Sequence, residues 1–325
     1  MSLYSSPNLK NNQLALRRTE WILQSVNGLP LIFSPLLAAQ VPLLTHAFTT
    51  RLGGKSEPPY DSFNLGGSSL SEIRKQDALS NRQRLCAALN LSFDQLVIPG
   101  QIHSANVVFA DKLSMEAGMP TKEADGVATN SPAQPMLLHF ADCVPIIILD
   151  PNKKACAVVH AGWRGTASQI VRQAVKFLEE HYKSKAQDLI AAVGPAIGSC
   201  CYPTGSEVVN KLLASVIEHE EEPAQKAYPE HNPKHIHGKP SDKNFLDVSL
   251  LSKIHQANLD KFFSVVQDSI HPDLKAINAL QLAQSGVEKI DIANLCTACN
   301  PELFYSHRQS GGTTGRQGAI ACLVQ

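Results

Sequence analysis

Net charge is the first thing this sequence lacks: its 325 residues carry 29 Lys and Arg against 29 Asp and Glu. No broad electropositive field follows, which excludes a partner held mainly through phosphate-backbone charge, so no nucleic-acid role is expected. Long apolar runs are missing as well. The most apolar early stretch, Leu29 to Leu44, is broken by Pro30, Pro35 and Pro42 and is too short to span a bilayer, so no membrane role is expected either. The first 20 residues have no apolar core behind a basic start and do not read as a secretory signal, which makes the cytoplasm the expected location. No internal repeat or long low-complexity linker divides the chain. Its 8 cysteines, scattered through a chain of this length, favour free thiols or metal ligands over a disulfide framework.

What is present reads as an ordinary folding chain, 43% apolar and 18% charged. Residues 1–24 read as a polar tail and 25–325 as one domain. Helices are expected after Ser71 (with Ala78, Leu79, Leu85, Ala88 and Leu89 on one face), after Thr166 (Ile170, Val171, Ala174, Val175, Leu178) and from Ser206 (Val208 to Ile217), with Thr166 and Ser206 as N-caps. Strands are expected at Leu96–Pro99, Ala105–Ala110, Met136–Phe140, Val144–Leu149, Ala155–His160, Leu189–Val193 and Ala319–Val324. Several are continuously apolar, which points to sheets covered on both faces. The stretch from His219 to Asn244 is rich in Glu, Lys, Pro and His. It reads as a solvent-facing insertion, because His231, His235 and His237 on a Pro-rich loop lack the rigid geometry of a ligand set.

Three segments place a polar, metal-competent residue beside an apolar strand: GQIHSA around His103, FADCVP around Cys143 and VVHAGWRGT around His160. In the last, a strand ends at His160, turns through Gly162 and Gly165 and enters a helix, with Arg164 in the turn. Two imidazoles and a thiolate suit zinc, and three protein ligands leave a fourth position for catalysis. The residues alone leave a second reading open, in which the histidines are hydrogen-bonded core residues and Cys143 a small buried hydrophobe.

The motifs THAFTTRLGGKSEPPYDSFNLG, NRQRL, GQIHSA, EADGVAT, FADCVPIIILDP, AVVHAGWRGT, AVGPAIGSCCY and CTACNPELFYSHRQSGGTTGRQGAI occur in this order. Together they resemble the laccase-domain family, whose members are variously called multicopper polyphenol oxidase, purine nucleoside phosphorylase or peptidoglycan editing factor. The resemblance implies an α+β fold, with mixed β-sheets packed as a sandwich and helices outside. It implies a catalytic zinc held by His103, Cys143 and His160. The implied activities are phosphorolysis of adenosine, inosine, guanosine or methylthioadenosine, and deamination of adenosine. Pro203-Thr204-Gly205 departs from the family's Glu-Val-Gly, Gly126 stands where many members have Ala, and the His-rich segment is not shared.

Purine nucleosides and phosphate are therefore the expected partners. Phosphate needs fixed positive charge, for which Arg51, Arg164 and Arg308 are the candidates, with Arg51 first because Gly53 and Gly54 beside it allow close backbone approach. Asn64 and Asp142 are candidate ribose or ligand-orienting partners, and His139 is a candidate extra ligand. Cys296 and Cys299 form a C-T-A-C pair with no second CxxC, so they are expected to be buried thiols, and Cys200-Cys201 to be packing. Two rival functions stand beside phosphorolysis. One is copper-dependent oxidation of phenols, for which only one convincing ligand cluster is visible. The other is a binding or editing role on a peptidoglycan precursor.

Overall fold

A computed structural model describes residues 20–66, 71–112, 115–116, 119–120, 122–217, 254–256 and 258–324. The His231, His235 and His237 segment lies outside the described residues, as does most of the polar tail. In chain order the strands are β1 (Ile22–Val26), β2 (Leu29–Phe33), β3 (Leu44–Thr49), β4 (Val107–Phe109), β5 (Met115–Glu116), β6 (Met119–Pro120), β7 (Gly126–Thr129), β8 (Met136–Phe140), β9 (Val144–Asp150), β10 (Ala155–Ala161), β11 (Ile190–Val193), β12 (Phe263–Val266), β13 (Ser269–Pro272), β14 (Lys289–Ile292) and β15 (Gln317–Leu323). The helices of more than one turn are α1 (Pro35–Ala38), α2 (Glu72–Ala88), α3 (Trp163–Ala167), α4 (Ile170–Tyr182), α5 (Ser206–Ile217) and α6 (Leu274–Gln284).

Two sheets stack in the middle of the molecule. One is antiparallel in the order β1-β2-β3-β15-β8. The other is mixed, β14-β11-β9-β10-β7-β4, with parallel pairs only at its two edges. The period of two along a strand explains the layering. In β9, Ile147 and Leu149 face the other sheet and meet Phe48, Met136, Leu138 and Phe140. Ile146 and Ile148 face the opposite way, against Val171 and Leu178 of α4, Leu212 of α5 and Ile277 of α6. The far side of the antiparallel sheet, with Leu31, Ala47, Leu137 and Ile320, packs on Leu85, Cys86 and Ala88 of α2. Helix, sheet, sheet and helix thus form successive layers, which is the sandwich of mixed sheets expected from the resemblance. The unbroken apolar runs of β9 and β10 are buried at every position, as strands covered on both faces must be.

Some local expectations shift. Thr166 is not an N-cap: it lies inside α3, buried, and its Oγ1 accepts a hydrogen bond from Asn278 at 2.9 Å. The following helix starts at Ile170, after Gln169 in the left-handed region at φ 59°. Ser206 is the first residue of α5 rather than its cap. Leu79 is 40% exposed, because the buried stripe of α2 runs through Ala78, Asn81, Arg82 and Leu85. The segment Leu96–Pro99 contributes only a bridge, Val97 to Met136, and no strand. β1 begins at Ile22, within the segment assigned to the tail; four of its five residues are exposed, so it offers no apolar pattern.

Because Ile147 is fully buried between the sheets, Ile147→Ala is expected to lower unfolding free energy by about 2–5 kcal/mol. Leu79→Ala, on the exposed side of α2, is expected to change it by less than about 0.5 kcal/mol. Urea unfolding midpoints of the two variants check this ordering, and equal losses would place Ile147 outside the shared core.

Candidate metal centre

Strand register explains why Cys143 and His160 meet. β9 and β10 form an antiparallel hairpin in which Val144 faces Ala161 and Pro145 faces His160. Cys143, just ahead of β9, therefore lies beside the end of β10, although 17 residues separate it from His160. Cys143 also closes the short crossover from β8 in one sheet to β9 in the other. His103 comes from the loop ahead of β4, with φ 62°, a left-handed conformation that costs energy outside glycine.

Asp125 holds this arrangement. It lies just ahead of β7 and is fully buried. Its Oδ2 accepts from the Ile102 N–H at 3.2 Å, the Ser104 N–H at 2.6 Å and the Ser104 hydroxyl at 2.8 Å. Its Oδ1 accepts from the His103 N–H at 3.0 Å and lies 2.8 Å from Nδ1 of His160. A carboxylate only accepts, so His160 carries a proton on Nδ1, and Nε2 is the nitrogen available to an ion. Burial alone would raise the Asp125 pKa, but the bonds from His160 and Ser104 together with the charge of His160 hold it below the usual carboxylate range.

The donor atoms of His103, Cys143 and His160 all lie within 4.8 Å of one another, with His103 Nε2 at 3.9 Å from Cys143 Sγ. The trio is open on one side: His160 is buried, Cys143 half-buried and His103 exposed. Burial would push the Cys143 thiol up, yet the charge of His160 and the hydrogen bonds from both imidazoles bring it down to about 6. His160 is likewise opposed by burial but raised to about 9 by the Cys143 thiolate and Asp125. A thiolate beside two imidazoles is a donor set that fits a borderline-soft divalent ion. Gly162 makes room for it, since a Cβ there would come 2.9 Å from His103 Cδ2 and 3.0 Å from Cys143 Sγ.

The other sequence candidates are placed less directly. Arg51 is already engaged: Nε and Nη2 donate to the Asp61 carbonyl, Nη2 pairs with the Asp61 carboxylate at 3.1 Å and Nη1 donates to the Pro301 carbonyl. A phosphate would have to displace these bonds. Asn64 is buried and spends its amide on Gly66 and the Arg316 N–H, so it ties loops together rather than facing ribose. Among the described residues, the side-chain hydrogen bonds of Asp142 go to Thr297 and Arg308 rather than to a histidine. Its carboxylate accepts from the Thr297 hydroxyl at 2.7 Å and the Arg308 N–H at 2.7 Å, and its carbonyl accepts from Ile197, which locks the crossover beside Cys143. Arg308 stacks on Tyr202 and Arg164 on Trp163, both exposed to solvent. His139 stands outside the trio; its Nε2 is buried and has no hydrogen-bond partner among the described residues.

Sequence reasoning missed Asp125, although it lies in the quoted EADGVAT motif, because an acid ahead of a strand carries no signal until its partners are known. It missed Gln101, whose amide pairs with both backbone groups of His139 and fixes the loop to β8. It also missed Arg316, which Asn64 holds through its backbone N–H and which burial pushes below the usual arginine range. The expectation for the remaining cysteines is corrected. Cys200 and Cys299 are exposed, and with Cys201 and Cys296 they form a second group whose sulfurs lie within 4.8 Å of one another.

Comparison with known proteins places this geometry in a family. The family model described as multi-copper polyphenol oxidoreductase laccase matches residues 45–258 and 247–324. Purine nucleoside phosphorylase YlmD of Bacillus subtilis strain 168 is 31% identical to this chain over 83% of it and 84% of the relative. Purine nucleoside phosphorylase YfiH of Escherichia coli strain K12 is 28% identical over 85% and 92%, respectively. The crystal structure of YlmD from Geobacillus stearothermophilus aligns with a TM-score of 0.71 at 26% identity, covering 94% of this chain and 100% of that one. With the matched residues running from β3 to β15 and embracing the three-residue donor set, the chain belongs to the multi-copper polyphenol oxidoreductase laccase family.

Proposed function

We propose that this chain is a zinc-dependent purine nucleoside phosphorylase that converts nucleoside and phosphate to free base and ribose 1-phosphate, with deamination of adenosine at the same site. The observation that carries the reading is the convergence of His103, Cys143 and His160 on one open-sided point, in a chain whose relatives carry the phosphorylase name over more than four-fifths of its length. Zinc held by these three residues would supply Lewis acidity for departure of the base.

The residues divide the remaining work. Phosphorolysis forms a bond from a phosphate oxygen to the anomeric carbon and breaks the bond to the purine nitrogen, so the base leaves with the electron pair and must gain a proton. Asp125 keeps His160 in one tautomer and His103 in one backbone conformation, which fixes both donors before substrate arrives. Arg308 on the loop locked by Asp142, Arg316, whose Nη1 donates to the Thr314 and Gly315 carbonyls, and Arg164 on α3 are the sources of positive charge for phosphate. Arg51 then acts through the loop it clamps. In deamination, water replaces the amino group at the purine C6 and ammonia leaves, the proton given up by the water being passed to the departing nitrogen by a general acid/base.

The family description names copper and phenols. Among the described residues a single cluster contains histidine, whereas carrying four electrons to dioxygen needs several coordinated coppers. The phosphorylase reading is therefore preferred.

Purified protein incubated with a panel of purine nucleosides, with and without phosphate, is expected to release free base only when phosphate is present, with ribose 1-phosphate in equal amount. Ammonia from adenosine reports the second activity. No turnover of any purine nucleoside, or phenol oxidation with several equivalents of copper, overturns the assignment. Asp125→Asn is expected to weaken zinc binding roughly 10–100-fold, measured by competition with a chelator. In metal-free protein, Cys143 should be alkylated by iodoacetamide with a midpoint near pH 6, because its depressed pKa keeps the thiolate down to about 6 and protonates it below. A midpoint near the ordinary thiol value of 9.0 would remove the thiolate from the site.

A further inference from the structure

The second cysteine group is assembled from two loops on the helix-covered side of the mixed sheet. Cys200 and Cys201 lie in the turn after β11, and Cys296 and Cys299 in the turn after β14. The loops are already joined by backbone: Ala196 and Cys296 form a parallel bridge and the Thr297 N–H donates to the Ala196 carbonyl at 3.1 Å. The sulfurs of Cys201 and Cys299 are 3.3 Å apart and those of Cys200 and Cys299 3.5 Å apart, with all four inside 4.8 Å. Zinc–sulfur bonds of about 2.3 Å in a tetrahedron give sulfur–sulfur edges of about 3.8 Å, so the group has the size of a single-ion site. An iron–sulfur cluster would interpose its own iron and sulfide atoms and spread the thiolates farther.

Packing does not explain the group, since Cys200 and Cys299 are exposed. Its surroundings resemble the shell of a metal thiolate. The Gly198 N–H donates to Cys296 Sγ at 3.2 Å, and a Cβ on Gly198 would lie 3.1 Å from Cys200 Sγ and 3.3 Å from Cys296 Cβ. No histidine or carboxylate joins the group among the described residues, leaving four soft donors and no open position.

We propose that Cys200, Cys201, Cys296 and Cys299 bind one zinc ion as four thiolates, at a structural site separate from His103, Cys143 and His160. Each thiol passes its proton to solvent as its sulfur bonds the ion. The ion ties the two loops that reach the active-site crossover, one through the Ile197 N–H on the Asp142 carbonyl and the other through the Thr297 hydroxyl on the Asp142 carboxylate.

The test uses full-length protein prepared under reducing conditions with zinc, then dialysed and assayed for bound metal. The His103→Ala/Cys143→Ala variant, which leaves all four cysteines in place, is expected to retain one zinc per chain. Its cobalt(II)-substituted form should show the intense visible bands and sulfur-to-metal charge transfer of a tetrahedral tetrathiolate. Cys296→Ser/Cys299→Ser should hold one equivalent fewer than the parent protein. Should that variant fail to fold, Cys200→Ser in the His103→Ala/Cys143→Ala background serves instead, with charge-transfer intensity expected to fall by about a quarter, one thiolate in four. A His103→Ala/Cys143→Ala protein that folds without zinc, or whose cysteines are joined as a disulfide in the reduced preparation, overturns the proposal, whatever the nucleoside assays show.

Discussion

The carboxylate of Asp125 lies fully buried between the loop that carries His103 and the strand end that carries His160, and it accepts from three backbone N–H groups, one hydroxyl and one imidazole. An isolated buried carboxylate is costly, so this group is tolerable only while its donors surround it. The converse also holds. The left-handed backbone of His103 persists because three consecutive N–H groups are drawn to the same pair of oxygens. A network of this kind is satisfied as a whole or not at all, which makes the positions of the two histidines a single property rather than two.

Sheet geometry supplies the third donor. The β9–β10 hairpin brings Cys143 beside Gly162, and Cys143 packs against the core between the two sheets. Asp142 pins that crossover with both carboxylate oxygens and its carbonyl, all to loops on the mixed-sheet side or to the segment ahead of β15. Cys143 and His160 therefore sit at the ends of packed strands, while His103 sits on a loop that Asp125 holds in place, as preorganised coordination requires.

The long, uniformly apolar strands β8, β9, β10 and β15 were legible, since their burial on two faces suppresses the polar alternation that would otherwise blur a strand. So was the amphipathic face of α4. The edge strand β1 was not, because its residues face water and carry no pattern. Within the site, His103, Cys143 and His160 were legible as metal-competent types beside strands. Asp125 was not, because its importance lies in partners from two other segments, and neither was the meeting of Cys200-Cys201 with Cys296 and Cys299, which a parallel bridge between distant loops brings about. The arginines show the limit from the other side: Arg51 sits among glycines that promise ligand access, yet its fork is filled by Asp61 and Pro301.

The place of β15 makes one strand answerable for the unity of the antiparallel sheet. This strand occupies the interior of the antiparallel sheet and is the element that pairs both with β3 and with β8. Within the antiparallel sheet, β1 to β3 reach β8 only through the pairing of residues 317–323. Opening at this one strand would part β1, β2 and β3 from β8, and with β8 the short crossover that carries Cys143.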